Sequence, residues 1–135
     1  MTSWCHGAPG IGLARVAGLD VLDDEDIRQE IETALRTTRC FEMQGVDHLC
    51  CGNLGRVDFL LAASRILSRA ELREAADKKA AWVVQRARES NGYNLLPNLP
   101  AGHFNPGLFR GAAGVGYQLL RLADAEGLPS LLLLD

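Results

Sequence analysis

The chain has 135 residues, 47% of them apolar, and 17 acidic against 14 basic side chains give a formal net charge of −3. A length like this suits one domain, taken as residues 1–135, and excess acid leaves no polycationic footprint for nucleic acid. The apolar run Leu131–Leu134 is far too short to span a bilayer, and Met1–Trp4 lacks the basic and apolar regions of an export signal. A cytoplasmic protein is expected, whose four cysteines serve metal binding or chemistry rather than disulfides.

In chain order, Gly7 and Gly10 open a first helix in which Pro9 suits the first turn. Ile11, Leu13, Ala14, Val16 and Ala17 make it apolar on most sides, so it is expected as an inner helix buried on more than one face. Gly18 is its stop. The acidic run Asp23–Asp26 then starts a second helix with one stripe of Ile27, Ile31, Ala34 and Leu35, the pattern of an outer helix with one face wet. Residues 37–49 read as a loop.

A second inner helix is predicted over 53–67, from Leu54, Val57, Phe59, Leu60, Leu61 and Ile66. Ser68 with Glu71 is a capping-box signature for a second outer helix, running to about Arg88 on a face of Leu72, Ala75, Ala76, Ala80, Val83, Val84 and Ala87. Glu74 and Lys78 are spaced as a supporting pair on its wet side. Residues 90–106, rich in proline, glycine and asparagine, form a long connection of the kind that often carries function. Val115, Tyr117, Leu119, Leu120 and Leu122 mark a last helix, ended by Gly127 and Pro129, and an apolar tail follows.

The chain repeats itself. SWCHGAPG at 3–10 superposes on HLCCGNLG at 48–55, setting Cys50 on Cys5, Cys51 on His6, Gly52 on Gly7 and Gly55 on Gly10. Phe109, Arg110, Gly111 and Gly114 form a third copy without cysteine, the first glycines of the copies being 45 and then 59 residues apart. That spacing fits helical-pair repeats, and strand signals are sparse, so an all-α array of alternating inner and outer helices is expected.

If the two cysteine-bearing turns lie side by side, Cys5, Cys50 and Cys51 meet at helix N-termini, which favour thiolate. Three protein ligands is the number of a catalytic zinc site, with the fourth position open. A substrate thiol there would lose its proton, and an all-thiolate set would leave it nucleophilic. The competing reading makes the cysteines buried small apolar residues, since adjacent cysteines do not match the common CxxC zinc spacing. His6 is expected to line the pocket rather than to ligate, His48 to cap or pack in its loop, and His103 to be solvated. Cys40 reads as a buried or half-buried thiol, Trp4 and Trp82 as core residues, with Trp4 near enough to line the pocket.

SWCHGAPG, LCCGNLG and GLFRGAAGVGYQLLRLAD followed by LPSLLLLD closely resemble the cyclase domain of lanthionine synthetases, above all the carboxyl end of the bifunctional class II, or LanM-type, enzymes. The resemblance implies an α/α toroid of inner and outer helices, of which this chain would be a fragment. It also implies a zinc ion on Cys5, Cys50 and Cys51, in the subgroup with three cysteine ligands rather than two cysteines and a histidine. The family adds a peptide cysteine thiol to dehydroalanine or dehydrobutyrine in a dehydrated precursor peptide, closing a thioether ring. His6 stands where relatives carry a tyrosine or histidine beside the metal, which implies a proton-transfer role.

The family has further helical pairs upstream, carrying an aspartate and a histidine of the active site, so a fragment of this extent is expected to be inactive unless an upstream polypeptide completes the ring. Two other functions stay open at this point: a non-catalytic helical-repeat module with structural cysteines, and addition of glutathione to dehydroamino acids.

Overall fold

The computed structural model describes residues 2–43, 45–96 and 104–134 and is all-helical. Its helices are α1 (Ala8–Ala17), α2 (Glu25–Cys40), α3 (Asn53–Ile66), α4 (Ala70–Glu89) and α5 (Ala112–Ala123). Among the described residues the only extended pairing is an isolated antiparallel bridge between Thr2 and Gly7. Among the described residues no helix is long and apolar enough to cross a membrane.

Helix α3 is the centre. Every residue from Asn53 to Ala63 is buried, because α3 packs against α1, α4 and α5 and touches α2. A helix apolar on most sides suits that position. Helices α2 and α4 each bury one stripe, Ile31, Ala34, Leu35 and Thr38 on α2 and Leu72, Ala76, Ala80, Val83 and Ala87 on α4, while their charged faces meet water. Inner and outer helices thus alternate as expected. The N-terminus of α2 is capped by Asp24, whose carboxylate accepts from the Ile27 amide at 2.8 Å.

The three glycine copies are structurally equivalent. Gly7, Gly52 and Gly111 each stand directly before a helix, at α1, α3 and α5. A methyl group on Gly10, Gly55 or Gly114 would overlap the carbonyl oxygen six residues earlier, of Trp4, Leu49 and Leu108 respectively. Each helix start is therefore pressed onto its own lead-in turn, and a side chain would force them apart.

Several sequence expectations are corrected. Helix α2 extends through 37–40, read as loop, because Thr37 turns its hydroxyl back onto the Thr33 carbonyl and Thr38 is buried against the core. The Ser68–Glu71 capping box does not form: Ser68 adopts a φ of 53° outside the helix, and the Glu71 carboxylate is taken by the Arg69 guanidinium at 2.7 Å. The ion pair one turn apart on α4 is Arg73–Asp77, not Glu74–Lys78. Trp82 is on the surface with the Arg86 guanidinium over its ring, and Cys40 is exposed, since both fall on wet faces of outer helices.

The flanking inner helices depart from the expectation as well. Ile11 on α1 is 53% exposed, at the open groove that α1 forms with α2, and Leu120 on α5 is 63% exposed, because among the described residues α5 packs mainly on α3. Helix α5 instead buries Gln118 and Arg121. Arg121 pairs with the fully buried Asp58 of α3 and donates from Nε to the Leu128 carbonyl at 3.2 Å, while the Ser130 hydroxyl donates to the other Asp58 oxygen at 2.6 Å. This polar clamp holds the segment after α5 onto α3.

Candidate functional site

Two turns build the site. The first, residues 2–7, is closed by the Thr2–Gly7 bridge and by the Ser3 hydroxyl donating to the His6 carbonyl at 3.2 Å, and it delivers Cys5 just ahead of α1. Gly7 leaves this turn at a φ of 139°, a conformation that disfavours any side chain. The second turn delivers Cys50 and Cys51 ahead of α3. There the Asn53 amide donates to the Val46 carbonyl at 2.8 Å and the Leu54 amide to the Asp47 carbonyl at 3.1 Å.

That second turn is held from three directions. The buried Asp47 carboxylate accepts from Asn53 Nδ2 at 3.1 Å and from the Asn94 amide at 2.8 Å and pairs with Arg86 of α4. His48, also buried, accepts the Cys51 amide proton at Nδ1 over 3.3 Å. The Cys50 amide donates to the Phe109 carbonyl at 2.9 Å, so the third glycine copy, at the head of α5, braces the second. The Phe109 ring stacks on Trp4, with centroids 5.7 Å apart and planes 2° from parallel. The copy without a cysteine thus contributes an aromatic wall beside the two that have one.

Because α1 and α3 lie side by side, the three thiols meet. The Sγ atoms of Cys5, Cys50 and Cys51 all lie within 4.8 Å of one another. Cys5 Sγ is 2.9 Å from Cys51 Sγ, and Cys50 Sγ is 3.5 Å from Cys51 Sγ. All are free thiols, half-buried. A tetrahedral zinc with bonds of about 2.3 Å sets its sulfurs roughly 3.8 Å apart, so this donor set fits one such ion with small side-chain adjustments.

The thiols are electrostatically unequal. Burial pushes the Cys5 thiol up, but hydrogen bonds from Cys51, Cys50 and Ser3 outweigh it and hold Cys5 below its usual value. Burial, together with its hydrogen bonds to the Cys5 and Cys51 sulfurs, pushes Cys50 up to about 12. Without metal, then, Cys5 gives up its proton before Cys50. A bound cation replaces such shared protons, because a coordinating thiol is deprotonated outright. Burial and the Arg110 charge hold the His48 imidazole below its usual pKa, in keeping with a neutral ring that accepts at Nδ1.

A family model described as Lanthionine synthetase C-like protein matches residues 1–133. The chain belongs to the lanthionine synthetase C-like family. No solved structure matches it.

In this lanthionine synthetase C-like chain the other sequence-named residues separate clearly. His6 is exposed and lines the end of an open groove of about 1030 Å³ between α1 and α2, with Gly7, Ile11, Arg15, Glu30 and Thr33; none of the three cysteines lines it. His48 takes the capping role expected of it, and Trp4 is half-buried beside Cys5. His103 lies outside the described residues. Sequence reasoning missed Arg56, which is buried at the start of α3 and bonded to both cysteine turns, and Ser3. Ser3 sits two residues from Cys5, near enough in sequence to have been noticed. An arginine inside a mostly apolar helix was the available signal for Arg56.

Proposed function

We propose that Cys5, Cys50 and Cys51 hold a zinc ion and that the site adds a peptide cysteine thiol to dehydroalanine or dehydrobutyrine in a dehydrated precursor peptide, forming a thioether ring. The supporting observation is the convergence of three sulfurs from two separate turns within 4.8 Å, in a chain of the lanthionine synthetase C-like family. Three protein donors leave a tetrahedral ion one position for substrate. Zinc held there would supply a Lewis acid that strips the proton from an incoming thiol and leaves it nucleophilic among three thiolates.

The chain's own residues do the rest. His48 and the Phe109 carbonyl fix the amides of Cys51 and Cys50, and so fix where the sulfurs point. Addition joins the thiol sulfur to the β-carbon of the dehydroamino acid, and the α-carbon takes up a proton. His6, exposed next to Cys5, is the residue we assign to carry that proton. A reducing, cytoplasmic setting keeps the thiols available, in line with four free cysteines. On its motifs we read the chain as the carboxyl-terminal part of a LanM-type synthetase, working with the upstream part of such an enzyme.

Metal analysis of purified protein, with Cys5, Cys50 and Cys51 changed singly to alanine, tests this. One zinc per chain, lost in each variant, is expected. No zinc, or zinc indifferent to all three changes, leaves a non-catalytic helical module with buried cysteines. Offering a dehydrated peptide its own cysteine and glutathione side by side separates ring closure from glutathione addition.

A further inference from the structure

Arg56 lies in the first turn of α3, five residues after Cys51, and is 3% exposed. Its Nε donates to the Thr2 carbonyl at 2.6 Å and its Nη1 to Asn53 Oδ1 at 3.0 Å, and the guanidinium carbon sits 4.5 Å from the Phe41 ring centroid. Those partners are a carbonyl, an amide and a ring, all neutral. Two other arginines drawn into the fold meet aspartates, Arg86 with Asp47 and Arg121 with Asp58, but among the described residues no carboxylate pairs with Arg56.

A buried cation without a counter-charge is strongly disfavoured, so something anionic is expected close by. Burial pulls the Arg56 guanidinium down from its usual value, and a negative charge on Cys51 would work the other way. The two hydrogen bonds also reach both cysteine turns, at Thr2 three residues before Cys5 and at Asn53 two residues after Cys51.

We propose that Arg56 is the charge-compensating positioning residue of the cysteine cluster, its guanidinium balancing the single net negative charge that three thiolates leave around a divalent cation. This rests on the reading of Cys5, Cys50 and Cys51 as metal ligands. A purely structural arginine would stitch the two turns together whatever the charge of the ligands. A compensating one matters only while all three ligands are anionic.

The test measures zinc affinity by competition with a chromophoric chelator, and cadmium–thiolate absorption, for the full chain and for Arg56→Gln and Arg56→Lys. Each is made with Cys51 present and again with Cys51→His, which exchanges an anionic ligand for a neutral one. With three cysteines, Arg56→Gln is expected to bind zinc about 10- to 100-fold more weakly, the usual range for residues supporting a ligand, and Arg56→Lys within about threefold of the parent. In the Cys51→His background both are expected within about threefold of their parent.

Equal loss for Arg56→Gln in the two backgrounds overturns the proposal, as does unchanged affinity with three cysteines. Should Arg56→Gln be unfolded without metal, Arg56→Lys decides: it keeps the charge while disturbing both hydrogen bonds, and a loss of about tenfold or more overturns the proposal. If the unmodified chain takes up no zinc, the metal reading falls and this proposal with it. Normal uptake with Arg56→Gln unaffected removes this proposal alone.

Discussion

Replacing Gly55 by alanine tests the idea that the glycine copies set how closely each helix presses on its lead-in turn. An added methyl there would overlap the Leu49 carbonyl oxygen, a backbone atom that cannot swing aside as a side-chain tip does. Forcing an extra carbon into a packed site costs about 1–3 kcal/mol, and a backbone obstacle puts Gly55→Ala near the upper end. Alanine returns about 1 kcal/mol of helix propensity, leaving a net loss of roughly 2 kcal/mol. For a chain of this size that lowers the melting temperature by about 7 °C.

Gly116 on α5 is the control, because a methyl there meets nothing within 4 Å. Gly116→Ala is expected to gain about 1 kcal/mol from propensity alone and to raise the melting temperature by about 3 °C. Circular dichroism melts of both variants, metal-free and under reducing conditions, make the comparison. If Gly55→Ala is as stable as Gly116→Ala, the close-approach argument is wrong and the repeat is only a pattern of letters.

Changing Asp58 to alanine strands Arg121, 1% exposed, as a buried cation, and a loss of about 3–5 kcal/mol in urea unfolding is expected; a loss under about 1 kcal/mol would show that the clamp is not built as described. His48 carries a pH dependence. Its folded pKa lies below the usual 6.5, so its contribution to stability is complete above that value and fades as pH falls through the depressed one. His48→Asn should therefore flatten the loss of stability of the metal-free protein on acidification below pH 6.5, and an unchanged acid limb counts against this. Cys40 is exposed on α2 while the other three cysteines meet at the cluster, so maleimide is expected to label one thiol per zinc-loaded chain and four after chelation. Four labels in both states would mean that no metal shields the cluster.

Much of this protein is written locally. The mostly apolar stretch from Leu54 to Ala63 announces a helix buried all round, and the one-sided stripes of α2 and α4 announce helices with a wet face, because periodicity records how many sides of an element meet water. The doubled motif around Cys5 and Cys50–Cys51 pairs the turns, since a glycine where backbones touch cannot be exchanged for another residue without moving one of them. Helix ends were less legible. Ser68 and Glu71 have the spacing of a cap, yet Arg69 stands between them and takes the carboxylate, and that competition is decided by side-chain reach.

Tertiary structure alone decided which residues meet across the chain. Nothing near Gln118 or Arg121 signals burial; Arg121 goes inside because Asp58, 63 residues before it, waits on α3 with a charge to be matched, and Gln118, three residues earlier on the same helix, is buried with it. Ile11 and Leu120 look like core residues and are exposed, because burial depends on a neighbour and not on the residue itself. Arg56 belongs to the same class, joining Thr2 to Asn53 across two turns that the sequence holds far apart. Spacing along the chain sets which face a side chain takes, whereas the partner it finds there depends on how the helices are stacked in space.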